Sequence, residues 1–477
     1  MDGQRGIARR MVIGLPEGGL SPGWERDFSA FPPAGVIVFR RDFRDLDDLR
    51  RLTTRLRGLA RPRRLLIGID EEGGWVSQLD GHLLVPPNAA LLARGARDGD
   101  IAEVHAVTAR RLRALGVDWD FAPVADVHSQ PRNPVIGARA FGSGPEDVAR
   151  AVGEALRGFR EGGLASCLKH FPGHGDTEVD SHLALPFCRA DLATLEAREL
   201  APFRAHLEAD AVMTAHVVYP ALDAESPGTF SPAVVTRLLR ERLGFQGVCI
   251  TDALEMKGAS QNHTPAEAGR LALGAGCDLL LFAFHDEGVR RARLELADAL
   301  VDGAIDRAGF DAARPRLARF DAAHPEPGAE ELSRPLESLT PPDWRERLEG
   351  VIERGLIVRG ALRDPARSLP WRVREPEFAR GPTLRELLSE AREPITTDAG
   401  APAIELIAVA SRVPVAPAEI ERFRATARAG PAVIVGLQND AFLDEASEAA
   451  VRLSASDATE LTRRVVVRRL MSLRRSS

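Results

Sequence analysis

Through the first two-thirds of the chain, apolar residues come in short unbroken runs instead of alternating with polar ones, and amphipathic stretches lie between the runs. The runs are RMVIGL (10–15), GVIVF (35–39), LLIGID (65–70), VDWDFAP (117–123), ASCLKHF (165–171), AVMTAH (211–216), GVCITDA (247–253) and CDLLLFA (277–283). Strands buried on both faces read this way, as parallel strands covered by helices do. The helical period of 3.6 shows in residues 45–60, 146–163, 192–209 and 231–244, the last opening with Ser231 as N-cap and Pro232 at the first helical position. Eight strands alternating with helices over roughly 320 residues predict a (β/α)8 TIM-type barrel. An open doubly wound sheet is disfavoured because no Gly-rich phosphate loop follows the first strand.

The pattern changes after residue 323. HPEPGAEELSRPLESLTPPDW (324–344) has the Pro- and Glu-rich composition of a linker. From 345 to 477 a helix near 345–360, strand-like AIELIAVA (403–410) and AVIVGLQ (432–438), and a helical pattern between them predict a small α/β domain. That domain contains no lysine, histidine or cysteine, so a structural or interface role is expected of it. The predicted organisation is therefore a barrel over 1–323, a linker and a C-terminal domain.

Composition narrows the function. A net charge of −6 with 28% charged residues gives no electrostatic case for nucleic acid. No apolar run reaches membrane-spanning length and the N-terminus lacks a signal-peptide core, so a cytoplasmic protein without membrane association is expected. Cys167, Cys188, Cys249 and Cys277 show no C-x-x-C pairing and read as reduced core thiols. Lysine is almost absent: only Lys169 and Lys257 occur, against an arginine-rich background. Lys169 thus marks a place where a compact ammonium serves and a planar guanidinium does not.

Candidate chemistry gathers at the predicted strand ends: Asp70, Asp120, Lys169 with His170, His216 and Asp252. A barrel converges such residues on one mouth. After the fifth strand comes KHFPGHGDTEVDSH (169–182), whose Asp180 and His182 are spaced to form a carboxylate-supported imidazole, a general acid/base for neutral pH. With Asp252 as a separate carboxylate nucleophile, this is equipment for double displacement at an acetal carbon. A metal site built from His170, His174, His182 and Asp180 is the rival. Gly173 and Gly175 suggest a mobile loop instead of a fixed ligand cage, so neither metal nor cofactor is expected.

At these residues the chain resembles the bacterial β-N-acetylglucosaminidases of glycoside hydrolase family 3. IGIDEEGG, WDFAPVADVHSQPRNPVIGARAFG, KHFPGHGDTEVDSH, MTAHVVYPALD, SPAVVTRLLRERLGFQGVCITDALEMKGA and ALGAGCDLLL follow the family's order over about residues 7–320. The resemblance implies a retaining mechanism with Asp252 as nucleophile and His182, supported by Asp180, as acid/base. It implies that Asp70, Arg139, Lys169 and His170, with His216 nearby, hold the hydroxyls and acetamide of a small carbohydrate substrate. Where the family usually reads D-Q-E-G-G-R-V-x-R, this chain has Asp70 to Gln78 as DEEGGWVSQ, so both arginines are gone and Gln78 stands at a usual sugar contact. The implied activity is exo-hydrolysis of β-N-acetylglucosaminides, with cell-wall muropeptide fragments as the expected source. A phosphorylase using the same Asp-His pair, or a sugar-binding descendant weakened in catalysis, remains as an alternative.

Overall fold

The computed structural model describes residues 2–179, 185–378, 381–411 and 415–475. The chain forms two compact units whose sequences interleave. The first takes in Met1–Glu71, Ile101–Gln130 and Ser143–Thr340, and the second Glu72–Asp100, Pro131–Gly142 and Pro341–Ser477. The proline-rich stretch up to Thr340 therefore lies inside the first unit.

Eight parallel strands organise the first unit: β1 (Met11–Ile13), β2 (Gly35–Val38), β3 (Leu66–Ile69), β4 (Trp119–Asp120), β5 (Cys167–Phe171), β6 (Ala211–Thr214), β7 (Val248–Thr251) and β8 (Leu280–Phe282). Each falls within an apolar run of the sequence. They form a five-stranded sheet, β8-β1-β2-β3-β4, and a three-stranded sheet, β5-β6-β7. Parallel bridges Trp119↔Ala165 and Val124↔Lys169 join β4 to β5, and Ile250↔Leu279 joins β7 to β8, giving the cyclic strand order of a (β/α)8 TIM-type barrel. Inside the ring, alternate residues of successive strands pack together, among them Leu66, Trp119, Phe121, Cys167, Met213, Ile250 and Leu281. All four cysteines are free and buried, as expected of core thiols.

Three local features differ from the sequence expectation. Val218–Tyr219 and Asp223–Pro227 form an antiparallel hairpin, and DAESP, polar and half exposed, has no apolar signal to announce it. Residues Ala233–Arg242 wind as a π-helix, and Ser231 does not cap it: Ser231 Oγ donates to Asp223 Oδ2 at 2.6 Å, drawn to the hairpin carboxylate. The expected helix at 192–209 is broken into short turns around a π-helical segment, Leu195–Glu199.

In the second unit, β9 (Ile357–Gly360), β10 (Trp371–Arg374), β11 (Ile404–Val409), β12 (Ala432–Gly436) and β13 (Val451–Ser454) form one sheet in the order β9-β13-β12-β11-β10. All pairs are parallel except β9 with β13. Leu406, Val433, Val435 and Leu453 pack on one face with Leu384, Leu388 and Val466; Ile407, Val409 and Ile434 pack on the other with Ile420 and Phe423. Both faces are buried, which explains the uninterrupted apolar reading of β11 and β12. β10, read as WRVR, escaped sequence detection because Arg372 and Arg374 interrupt its apolar positions, and Arg372 is held by Glu405 on the adjacent strand.

The base of the first unit depends on Asp118. Its Oδ2 accepts Arg57 Nη2 at 2.6 Å and the Ile67 amide at 2.8 Å, joining helix Leu46–Ala60 to β3 with both charges buried. Asp118→Ala would strand the Arg57 guanidinium, a defect worth about 3–5 kcal/mol. Urea denaturation followed by tryptophan fluorescence should show a loss of this size; a change below about 1 kcal/mol would mean that water already satisfies the pair.

Candidate active site

Strand parity decides which polar side chains meet. Leu66 on β3, Cys167 on β5 and Ile250 on β7 point into the barrel core, and counting on in steps of two reaches Asp70, Lys169 and Asp252. These three continue the inward files at the carboxyl ends of their strands, where the fold places chemistry. Lys169 is 2% exposed and its Nζ donates to Asp70 Oδ1 at 2.6 Å. Asp252 is partly exposed, and its Oδ1 accepts the Ala253 amide at 2.7 Å. Its charge also reaches the His174 ring.

Asp120, which the sequence grouped with these residues, belongs to the opposite file, between inward-facing Trp119 and Phe121. Its Oδ1 accepts the Glu71 amide at 3.0 Å, so it holds the backbone just after Asp70 instead of lining the mouth. Burial raises the Asp120 carboxyl well above its ordinary value.

Sequence reasoning passed over Asp126, the acid within APVADV. It is wholly buried: its Oδ2 accepts His170 Nδ1–H at 2.7 Å, and its Oδ1 accepts the amides of His170 at 3.2 Å and His174 at 2.7 Å. Burial alone would raise this carboxyl, but His170 and His174, through charge and hydrogen bonds together, hold Asp126 below its ordinary value. Because a carboxylate only accepts, the proton of this contact sits on His170 Nδ1, which in a neutral ring leaves Nε2 as the acceptor. An acid in an otherwise apolar hexapeptide was the available signal. His174 Nδ1 lies 2.9 Å from Thr177 Oγ1, and burial, then the nearby His170, push its imidazole down to about 4. His216 is buried, with Nδ1 2.9 Å from Thr229 Oγ1 and Nε2 donating to the Ala253 carbonyl at 3.0 Å, beside Asp252.

The two glycines of KHFPGHGD are fixed by packing and not by a need for mobility. A Cβ on Gly175 would lie 1.7 Å from the Val127 carbonyl oxygen. One on Gly173, at φ +133°, would lie 2.7 Å from Glu199 Cβ. Asp180 and His182 lie outside the described residues.

Gln78 and Arg139 belong to the second unit. Arg139 forms a two-pronged pair with Glu72, Nε to Oε2 at 2.8 Å and Nη2 to Oε1 at 2.7 Å, and Nη1 donates to the Val135 carbonyl at 3.1 Å. Gln78 is half-buried, following a turn in which Gly74 has φ +56° and a Cβ there would meet Asn88 Oδ1 at 1.8 Å. Asn88 Oδ1 accepts the Trp75 amide at 3.1 Å, and Asp457 Oδ1 accepts the Asn88 amide at 3.1 Å. Among the described residues, no three potential ligands approach one another as a metal cage would.

Carboxylates, a lysine and a histidine grouped at the strand ends of a (β/α)8 barrel can grip hydroxyls and attack an electrophilic carbon. Residues 32–320 match the glycosyl hydrolase family 3 N-terminal domain, and the chain belongs to that family. It is 44% identical over 262 residues to a beta-hexosaminidase of Chromobacterium violaceum, covering 53% of this chain and 72% of that protein. Among solved structures it is similar to a glycoside hydrolase family 3 beta-N-acetylglucosaminidase from Paenibacillus sp., with TM-score 0.86, 26% identity and coverage of 98% of this chain and 96% of that one. It is also similar to NagZ from Neisseria gonorrhoeae in complex with N-trifluoroacetyl-D-glucosamine, with TM-score 0.59, 31% identity and coverage of 73% and 98%.

Two carboxyls of the first unit have a pH consequence. Burial pushes Glu199 and Glu255 up to about 7 from 4.5, against the pull of Arg198 on the former and of the Phe284 and Ala283 amides on the latter. Between pH 4.5 and about 7 the folded protein thus holds protons that the unfolded chain has released. Their stabilising contribution is complete below 4.5 and is lost as pH rises through about 7. Denaturation midpoints should fall across this window, and Glu199→Gln combined with Glu255→Gln should flatten the fall. An unchanged slope in the double variant would assign the titration to other groups.

Proposed function

We propose that the chain is a retaining exo-β-N-acetylglucosaminidase that removes terminal N-acetylglucosamine through a glycosyl-enzyme, acting in the cytoplasm on cell-wall muropeptide fragments. The observation that carries the reading is that Asp252 shares the inward strand-end file with the Lys169–Asp70 pair. The family membership and the names of the similar proteins support it. None of the described helices is long and apolar enough to cross a membrane.

In this mechanism Asp252 attacks the anomeric carbon while His182, supported by Asp180, protonates the leaving oxygen; His182 then takes a proton from water for the second displacement. Asp70 and Lys169, already held against each other, grip sugar hydroxyls without rearrangement. His170 adds an acceptor at Nε2 because Asp126 fixes the tautomer. His216 holds the carbonyl beside Asp252, which makes it a positioning group for the nucleophile. Arg139 and Gln78 complete the proposed sugar contacts by resemblance.

Asp252→Ala should abolish release of p-nitrophenol from its β-N-acetylglucosaminide while the circular dichroism spectrum is preserved. Turnover that persists in the folded variant removes Asp252 as nucleophile, and wild-type turnover that requires added phosphate would identify a phosphorylase. An arginine-sugar contact is worth about 1.5–3 kcal/mol, so Gln78→Arg should lower KM roughly 10- to 150-fold. A folded Gln78→Arg enzyme with unimproved KM would mean the pocket is built around glutamine for another sugar.

A further inference from the structure

The segments leaving β2 and β8, which flank β1 in the ring, bring two phenyl rings to one guanidinium, all within the first unit. Phe39 follows β2 and continues its inward file from Ile37; like Ala253, the residue after Asp252, it packs against the barrel-core cluster. Arg41 lies over that ring, with Cζ 4.2 Å from the Phe39 centroid and 4.3 Å from the Phe284 centroid. The cation is therefore mounted at the barrel mouth. Its Nη2 donates to the Ala283 carbonyl at 2.8 Å. Asp42 stands off at 3.9 Å from Nε, and Asp42 Oδ2 accepts the Phe39 amide at 2.7 Å. With phenyl rings over its faces, the guanidinium keeps its in-plane N–H edge for a ligand, and 40% of the side chain is exposed.

Phe284, two residues beyond β8, is 39% exposed. A lone exposed phenylalanine means little by itself, but this one is held rigidly. Glu255 accepts the amides of Ala283 and Phe284 at its two oxygens, each at 3.1 Å. On the far side, Trp24 Nε1–H donates to His285 Nδ1 at 2.7 Å. A Cβ on Gly14 would lie 2.0 Å from the Ala283 carbonyl oxygen, so the chain leaving β1 gives the loop no slack. Glu255 follows Asp252 by three residues, so one turn carries both the proposed nucleophile and the support of the Phe284 ring.

We propose that Arg41 and Phe284 form the subsite for the leaving group, and that this group is a second sugar ring bearing a carboxylate. The Phe284 ring packs on the C–H face of that sugar, and the guanidinium edge takes the carboxylate. The proposal rests on the reading above that Asp252 opens a β-N-acetylglucosaminide. Asp70, Lys169 and His170, at the ends of β3 and β5, are already committed to the sugar that is attacked. Arg41 and Phe284, on the arc β8-β1-β2, are placed for the part that departs. Charge selects the carboxylate: a planar edge of paired N–H donors matches its two oxygens, whereas a neutral hydroxyl leaves the cation unbalanced.

The test uses three substrates that share the N-acetylglucosaminyl group: its β-linked disaccharide with N-acetylmuramic acid, the methyl ester of that disaccharide, and methyl β-N-acetylglucosaminide. Values of kcat/KM are measured for wild type, Arg41→Gln, Arg41→Met and Phe284→Ala, with folding followed by thermal unfolding. Wild type should prefer the free acid to its ester by about 10-fold or more, and Arg41→Gln should bring that preference to within about 2-fold of unity. Phe284→Ala should keep the acid preference but lower the preference for the ester over the methyl glycoside by about 3-fold or more. A wild type indifferent to esterification, or an acid preference unmoved in folded Arg41→Gln, overturns the carboxylate site. An unmoved ester preference in folded Phe284→Ala overturns the ring contact. If Arg41→Gln does not fold, Arg41→Met, whose stem can still lie on both rings, decides by the same ratio. Turnover that requires phosphate in wild type and loses that dependence in Arg41→Gln would assign the guanidinium to phosphate and overturn the proposal. A wild type inactive on all three substrates sinks the functional reading as well; an active wild type with unmoved ratios sinks this proposal alone.

Discussion

A lysine that is 2% exposed must meet its counter-charge inside the protein, and the 2.6 Å contact of Lys169 with Asp70 is the constraint on which the barrel mouth depends. Removing an ammonium from water costs several kcal/mol unless a carboxylate and further hydrogen bonds replace the lost solvation. The pair spans β4, so the ends of β3 and β5 must keep a fixed register. Asp120 reinforces this from behind by holding the Glu71 amide. Such an arrangement keeps a donor and an acceptor fixed at the strand ends.

The carboxylates of the first unit divide by strand parity into two kinds of work. Those on the inward file, Asp70 and Asp252, face the mouth. Others hold backbone amides of neighbouring segments: Asp118 takes that of Ile67, Asp120 that of Glu71, Asp126 those of His170 and His174, and Asp278 that of Cys249. Each such bond is buried, hence costly to break. Acidic residues scattered through the apolar runs are therefore the means by which strand ends are set at fixed heights around the ring.

Much of this was legible in the sequence because the strands are short and apolar and because lysine is scarce. The eight runs located the eight barrel strands, and Lys169 stood out against the arginines. Parity at strand ends was not legible: Asp120 and Asp70 look equivalent in sequence, yet one residue of offset sends Asp120 behind the wall. Asp126 was hidden in an apolar stretch whose partners lie 44 and 48 residues away. The glycines of KHFPGHGD were open to two physical readings, freedom or close approach, and the Val127 carbonyl above Gly175 decides for close approach. Nor could local patterns show that the segments 72–100 and 131–142 group with the C-terminal part of the chain, since such grouping is a property of packing.

A nucleophilic Asp252 becomes covalently bonded to the sugar during turnover. The bond can be sought by mass spectrometry of peptides from enzyme quenched with a 5-fluoro N-acetylglucosaminyl substrate, whose ring fluorine slows breakdown of the intermediate. One added glycosyl unit is expected on the peptide containing Ile250–Leu254, localised to Asp252 by fragmentation. A glycosyl unit on another residue, or steady turnover of this substrate with no adduct at any quench time, would contradict it.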